Sequence, residues 1–466
     1  MIDAIRDRLK SAAGPNGFSE DQTEIEPHLE EWRSKYKGRS PLLLRPATTR
    51  AVSEILAVCH ETATPIVPQG GNTGLVGGQI PFDGEILLSL SRMNRIRTLD
   101  TDGHALVVEA GVVLANAQKA ASDANLLFPL SLAAEGSCTI GGNISTNAGG
   151  VNVLRYGMAR ELVLGLEIVL ADGRVLDLLR TLRKDNTGYD LKQLFIGAEG
   201  TLGVVTAVAL KLFPKPSAHA TAFVAVPSPS AAIALLSRLQ SATGGMVSAF
   251  ELIPRIALEL VLMHIPGTRD PLTSTSPWYV LVEAAGAAQF HLGAIVESAI
   301  GEAIAKGEVS DAALAASEAQ RAAFWAIREN ISEAQKKEGS SIKHDVSVPV
   351  ASIPAFLDRA TREVLMIVPG ARPVSFGHLG DGNIHFNFSA PHSGVDAAFL
   401  AKWDVVQDRV HAIVKEFSGS ISAEHGIGVM KRDALAHAKS ALELELMRGL
   451  KRLLDPRDIL NPGKLL

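Results

Sequence analysis

Three zones of the 466-residue chain differ in how apolar positions are spaced. Residues 1–40 carry charges on most turns and predict polar helices closing at "KGRSP". From 41 to 216 short apolar runs alternate with glycine-rich turns and helical stretches, as in "TPIVPQGGNTGLVGG", "LVLGLEIVLADGRVLDL" and "EGTLGVVTAVALKLFP". That is an α+β or α/β signature, and "PKPS" at 214–217 reads as a linker. Residues 217–420 are richer in alanine and long helical periods, and a tail, 421–466, ends in "DPRDILNPGKLL". The sequence shows no internal repeat or low-complexity segment.

The sharpest local pattern is "GHLGDGNIHFN" at 377–387. Asp381-Gly382 predicts a two-residue hairpin turn, whose central residues both need positive φ. That register sets His378 directly opposite His385, with Cβ atoms about 4.5–5.5 Å apart. Two imidazoles so placed can share one metal; a pair bonded to backbone at a sheet end fits the same turn. Alternation puts Phe376 and Asn387 on the histidine face and Leu379, Ile384, Phe386 and Phe388 on the other. Upstream, "FWAIRENISEAQKKEG" reads as a helix stopping at Gly339, with Arg328 and Ser332 on one face. In "IKHDVSVP", strand alternation groups Lys343, Asp345 and Ser347.

Composition adds mainly exclusions. The length predicts two or three domains, and 47% hydrophobic with 20% charged residues is ordinary for a globular protein. A formal charge of −5 without a basic cluster argues against a nucleic-acid partner. Cys59 and Cys138, with no CxxC spacing, argue against a disulfide framework or thiolate metal site. "MIDAIRDRLKSAAG" lacks a signal-peptide run, and no apolar stretch approaches the ~20 residues that span a bilayer. The expected compartment is therefore the cytoplasm.

Two glycine loops supply further chemistry. After the apolar run that stops at Pro68, Gly70, Gly71, Gly74, Gly77 and Gly78 let backbone N–H groups turn toward an anion. "EGSCTIGGNISTNAGG" (135–150) repeats the recipe with hydroxyls and amides. Neither loop fits GxGxxG or GxxxxGK, which disfavours a nicotinamide-type site or a P-loop. A single loop of this kind is often only a turn, whereas two favour a phosphate-rich cofactor.

The ordered runs "PQGGNTGLVGG", "PLSLAAEGSCTIGGNISTNAGG", "GLEIVLADGRVLD" and "NTGYDLKQLFIGAEGTLGVVT" resemble the FAD domain of vanillyl-alcohol-oxidase-type flavoproteins. "GHLGDGNIHFN", "AEHGIG" and "NPGKLL" are similar to their D-2-hydroxyacid dehydrogenase branch, and the resemblance runs from about residue 40 to the end. It implies an α+β protein with a two-part FAD-binding domain (vanillyl-alcohol-oxidase/PCMH type) and an α+β substrate or cap domain with an antiparallel sheet.

The resemblance also implies roles. Pro68, Gln69, Gly70, Gly71, Asn72, Thr73, Gly74, Leu75, Gly77 and Gly78 would bind the FAD pyrophosphate. Pro129, Leu132, Gly136, Thr139, Gly142, Asn143, Thr146 and Gly149 would line the second side, with Glu199, Gly200, Gly203 and Val205 near the adenine. Asn461 matches a residue near the flavin ring, so the tail should return to the first domain. Some relatives attach FAD through a first-loop histidine; Asn72 stands in that region here, so FAD should be non-covalent.

His378, His385 and Glu424 would hold a divalent metal, zinc by ligand type, with His425 as general base. Arg328, Ser332 and Lys343 match positions that hold the far carboxylate in 2-hydroxyglutarate dehydrogenases, and Asn387 would hold the near one. The implied reaction is oxidation of a D-2-hydroxy acid, D-2-hydroxyglutarate before D-lactate or D-malate. The electron acceptor would be an electron-transfer flavoprotein or a quinone, with homodimer formation left open. A flavin-free zinc hydrolase is the alternative from another class, and it predicts a colourless protein.

Overall fold

The computed structural model describes residues 2–466, which divide into two compact units. One comprises the chain up to Gly150, Gly157–Lys215 and Glu424–Leu466; the other comprises Val151–Tyr156 and Pro216–Ala423.

In the first unit the amino-terminal segment is less polar in effect than its composition. Helix Ile2–Ala13 buries Leu9 and Ala13 in the same core as Val52, Ile55, Leu56 and Cys59 of helix Thr49–Thr62. Those four recur at helical spacing, and the Thr48 side chain caps the helix by accepting from the Ala51 N–H. A four-stranded sheet runs Phe18–Ser19, Leu43–Leu44, Ile86–Ser89, Ile66–Gln69, its last two pairings parallel. The near-continuous apolar runs of those strands are what burial on both faces selects. Leu460 adds a parallel bridge beside Ile66, so the tail closes this sheet's edge. A five-stranded antiparallel sheet follows, in the order Ile96–Asp100, Ala105–Glu109, Val204–Lys211, Val163–Val169, Val175–Leu178.

The second unit is an eight-stranded antiparallel sheet with helices. Its path runs Asp311–Leu314, Ala218–Val226, Trp278–Gly286, Val247–Pro254, Arg372–His378, Asn383–Ser389, Ser341–Ile342, with Asp345–Ser347 also on Asn383–Ser389. Helix Pro229–Thr243 begins at the Ser228 cap with proline in its first turn and ends at left-handed Gly244. Phe223, Tyr279, Phe324 and Phe376 fill one core cluster.

Two local expectations require correction. Phe376, not His378, stands opposite His385. Asp381 joins a three-residue helical turn, Leu379–Asp381, and its Oδ1 accepts from the Asn383 N–H, so only Gly382 needs positive φ (+89°). His378 meanwhile pairs with Glu251 of Val247–Pro254, which fixes it two residues past the position opposite His385. Alternation still keeps both histidines on one face. The upstream helix also divides, into Glu318–Glu329 and Ile331–Glu338. Asn330 ends the first piece by donating Nδ2 to the Ala326 carbonyl at 2.7 Å, so Arg328 and Ser332 share no continuous face. Arg328 is buried and Ser332 exposed.

Candidate active site

In the first unit the two glycine loops and the Glu199 segment enclose a cavity of about 290 Å³. Of the residues expected to hold cofactor, all line it except Gly77, Pro129, Gly136 and Asn461. Close approach explains the glycines: a Cβ at Gly70 would lie 2.4 Å from Thr139 Oγ1, and one at Gly71 would lie 2.1 Å from the Ser137 carbonyl. An adjoining cavity of about 550 Å³ shares Gly70, Gly71, Asn72 and Thr139 and adds Ser89, Ser91, Asn94 and Asn116. Thr139 Oγ1 and Asn143 Nδ2 are buried with no hydrogen-bond partner, which suits a polar cofactor arriving there. Cys138 also lines the wall; burial pushes its thiol up, so it sits there as a neutral group.

The tail reaches this cavity at two places. Asn461, at φ +46°, donates Nδ2 to the carbonyls of Gly78 (2.9 Å) and Glu199 (2.8 Å), tying two loops together from behind the lining. Glu424 and His425 belong to the lining itself. The loop after His425 is held by Glu199, whose Oε1 accepts from the Ile427 N–H at 2.7 Å and Oε2 from the Gly428 N–H at 2.8 Å.

In the second unit one sheet face gathers the other candidates. The His378 and His385 rings lie 5.8 Å apart between centroids, nearly perpendicular, with Phe376 5.0 Å from His385. Glu251, fully buried, bonds His378 Nδ1 through Oε1 at 2.6 Å and accepts from Arg328 Nε through Oε2 at 2.5 Å. Burial opposes ionisation of Glu251, yet Arg328 and His378 outweigh it and hold the carboxyl down at about 2. Arg328 therefore does not pair with Glu329 or Glu333 on a solvated surface; its guanidinium also lies 4.9 Å over the Phe376 ring.

Asp345 stands opposite His385, with 4.0 Å between Oδ1 and Nδ1. The pairings Ile342–Phe388 and Asp345–His385 keep one register, which sets Lys343 across from Asn387 on the histidine face. The strand is interrupted between them because the His344 N–H bonds the Asn387 Oδ1 at 3.2 Å. Asn387 Nδ2 donates to Gln335 at 3.1 Å. Sequence reasoning missed Glu251 and Gln335; the only signal for Glu251 is a lone carboxylate inside the apolar run "SAFELIP".

Comparison with known proteins decides the family. The family described as "FAD linked oxidases, C-terminal domain" matches residues 215–465, and "FAD binding domain" matches 40–179. The chain belongs to the FAD-linked oxidase family. It is an FAD-dependent dehydrogenase. D-2-hydroxyglutarate dehydrogenase, mitochondrial, from Arabidopsis thaliana is 42% identical over 458 residues, covering 98% of this chain and 80% of that one. A putative mitochondrial D-lactate dehydrogenase from Schizosaccharomyces pombe is 39% identical, covering 98% and 89%. Among solved structures, p-cresol methylhydroxylase with substrate bound matches with a TM-score of 0.77 at 16% identity over 100% of this chain and 96% of that one. That likeness confirms the PCMH-type fold. The cytoplasmic expectation is overturned by these relatives, which are named as mitochondrial. Charge and hydropathy describe how a surface meets water, not which compartment supplies the water, so composition could not have told the two apart.

Proposed function

We propose that the protein oxidises D-2-hydroxyglutarate to 2-oxoglutarate, with non-covalent FAD and a divalent metal, zinc by ligand type. The observation that carries the diacid is the sheet face on which buried Arg328 and, by register, Lys343 accompany the histidine pair. A guanidinium fork and an ammonium suit a second carboxylate, for which D-lactate has no counterpart. Glu251 takes only Nε of Arg328, so the terminal Nη groups remain suited to a carboxylate. Asn387 would complete the substrate contacts, whereas exposed Ser332, which shares no continuous face with Arg328, is left out of them.

When bound, FAD supplies a hydride acceptor and the metal supplies a Lewis acid that lowers the substrate hydroxyl's pKa. The chain's own residues do the rest. His378 and His385, with Glu424, would be the ligands. Support comes from Glu251, which fixes His378 through Nδ1, and from the Ala423 N–H, which bonds the Asp345 carbonyl at 3.4 Å immediately before Glu424 in the chain. His425, lining the cofactor cavity, would remove the hydroxyl proton. An electron-transfer flavoprotein or a quinone would then re-oxidise the flavin. Among the described residues no helix is long and apolar enough to cross a membrane.

The test is anaerobic mixing of the FAD-loaded enzyme with D-2-hydroxyglutarate, D-malate and D-lactate, following loss of flavin colour. The expected order of kcat/KM is D-2-hydroxyglutarate, D-malate, D-lactate. A preference for D-lactate rejects the diacid assignment.

A further inference from the structure

Glu199 is buried in the wall of the cofactor cavity, and both oxygens of its carboxylate are engaged by the chain itself. Its backbone is left-handed (φ +52°), a conformation a non-glycine residue holds only when its surroundings impose it. Here they do: the Glu199 N–H donates to the Ser145 carbonyl at 2.7 Å, and Asn461 Nδ2 donates to the Glu199 carbonyl at 2.8 Å. So anchored, the side chain presents its two oxygens to two consecutive backbone N–H groups, those of Ile427 and Gly428, lying 228 and 229 residues later in the chain. Gly426 makes the approach feasible, because it is left-handed (φ +80°) and a Cβ there would stand 2.8 Å from Glu199 Oε1.

The far end of this loop has its own fixings. The Val76 carbonyl accepts from the N–H groups of Val429 and Met430, and the Gly428 carbonyl accepts from the Leu465 N–H. What Glu199 adds is control of the peptide planes two and three residues past His425. Burial raises the Glu199 carboxyl above its usual range, offset in part by the two N–H bonds and the charge of Lys431. An acceptor pair aimed at two donors uses the ionised carboxylate fully, and an amide in its place satisfies only one.

We propose that Glu199 is a positioning residue for His425, a two-point clamp that sets the orientation in which the imidazole enters the cofactor cavity. The proposal rests on the reading of His425 as the base. It predicts that loosening the clamp slows proton removal through His425 while leaving the KM for substrate unchanged.

A double-mutant cycle tests it, with the rate of anaerobic flavin reduction by D-2-hydroxyglutarate measured in wild type, Glu199→Gln, His425→Ala and the double variant. His425→Ala is expected to lose about 10²-fold or more. Glu199→Gln is expected to lose about 10- to 100-fold, the scale of a misplaced catalytic group, with KM unchanged. Because Glu199 acts through His425, the double variant should be no slower than His425→Ala alone. With every variant saturated with FAD, multiplied losses or a wild-type rate in Glu199→Gln each overturn the proposal. A near-normal rate in His425→Ala is a separate failure, that of the base assignment. Glu199→Asp, which keeps the charge but withdraws it by one methylene, serves in the same cycle if the glutamine variant does not accumulate.

Discussion

Glu251 Oε1 lies 2.6 Å from Nδ1 of His378, a single hydrogen bond joining residues 127 positions apart. With Nδ1 donating to that carboxylate, the neutral tautomer makes Nε2 the nitrogen that can ligate a metal, and the ring cannot swing away. Glu251→Gln keeps the shape but weakens both effects, and it leaves Arg328 without its anionic partner. Metal affinity should fall about 10- to 100-fold, read by zinc retained against a graded competing chelator. Unchanged retention rejects the carboxylate–histidine relay.

Chelation should separate cofactor from catalysis. The cofactor cavity is lined entirely by residues of the first unit, whereas both proposed histidine ligands belong to the second. Exhaustive removal of metal is expected to abolish flavin reduction by D-2-hydroxyglutarate while the protein stays yellow. Full activity with metal loss verified by elemental analysis rules out His378, His385 and Glu424 as a catalytic set.

The two cations should fail differently. Lys343→Ala is expected to cost D-2-hydroxyglutarate at least about tenfold in kcat/KM and D-lactate little, as befits a charged hydrogen bond to the far carboxylate. Arg328→Ala should slow both substrates, because it also strands the buried Glu251, with the larger loss for the diacid. Kinetics with the two acids side by side check this, and equal losses in Lys343→Ala remove it from substrate recognition.

Acid stability of the second unit should report on Glu338. Burial pushes its carboxyl up, but Ser393 (2.6 Å), His264 (2.7 Å) and Arg372 (2.7 Å) outweigh this and hold it at about 2. A depressed carboxylate stabilises the fold above its unfolded pKa of about 4.3, and that contribution is lost as pH falls through the folded value. Glu338→Gln should therefore be less stable by about 3 kcal/mol near neutrality, with the gap closing between about pH 4.5 and 2. Urea denaturation across that range measures it; a gap independent of pH assigns the loss to packing.

The glycine loops were readable because two chain segments can approach this closely only where one of them lacks a Cβ, as Gly70 and Gly71 show against Thr139 and Ser137. The histidine face was readable because strand alternation survives a shift of two residues. The register itself was not, since Glu251 of a distant strand captures His378, and nothing near Asp381-Gly382 encodes that partner. The helix break at Asn330 was hidden for a similar reason: one side-chain bond to Ala326 overrides a composition that favours continuation. Glu199 sat inside a legible motif, but its partners, Ile427 and Gly428, could be found only in three dimensions.

The order in which the ribosome delivers these parts has a consequence. Strand Ile66–Gln69 and both glycine loops emerge early, but Leu460, which bridges Ile66, and Asn461, which links Gly78 to Glu199, are made only after the whole second unit. A nascent chain stalled anywhere in 216–423 thus holds an unfinished flavin cradle without the His425 loop. Flavin capture should then mark the end of synthesis, and fragments ending near residue 216 should emerge colourless. If flavin is captured only then, the centre is spared a period in which bound flavin could react before the loop carrying His425, the proposed base, exists.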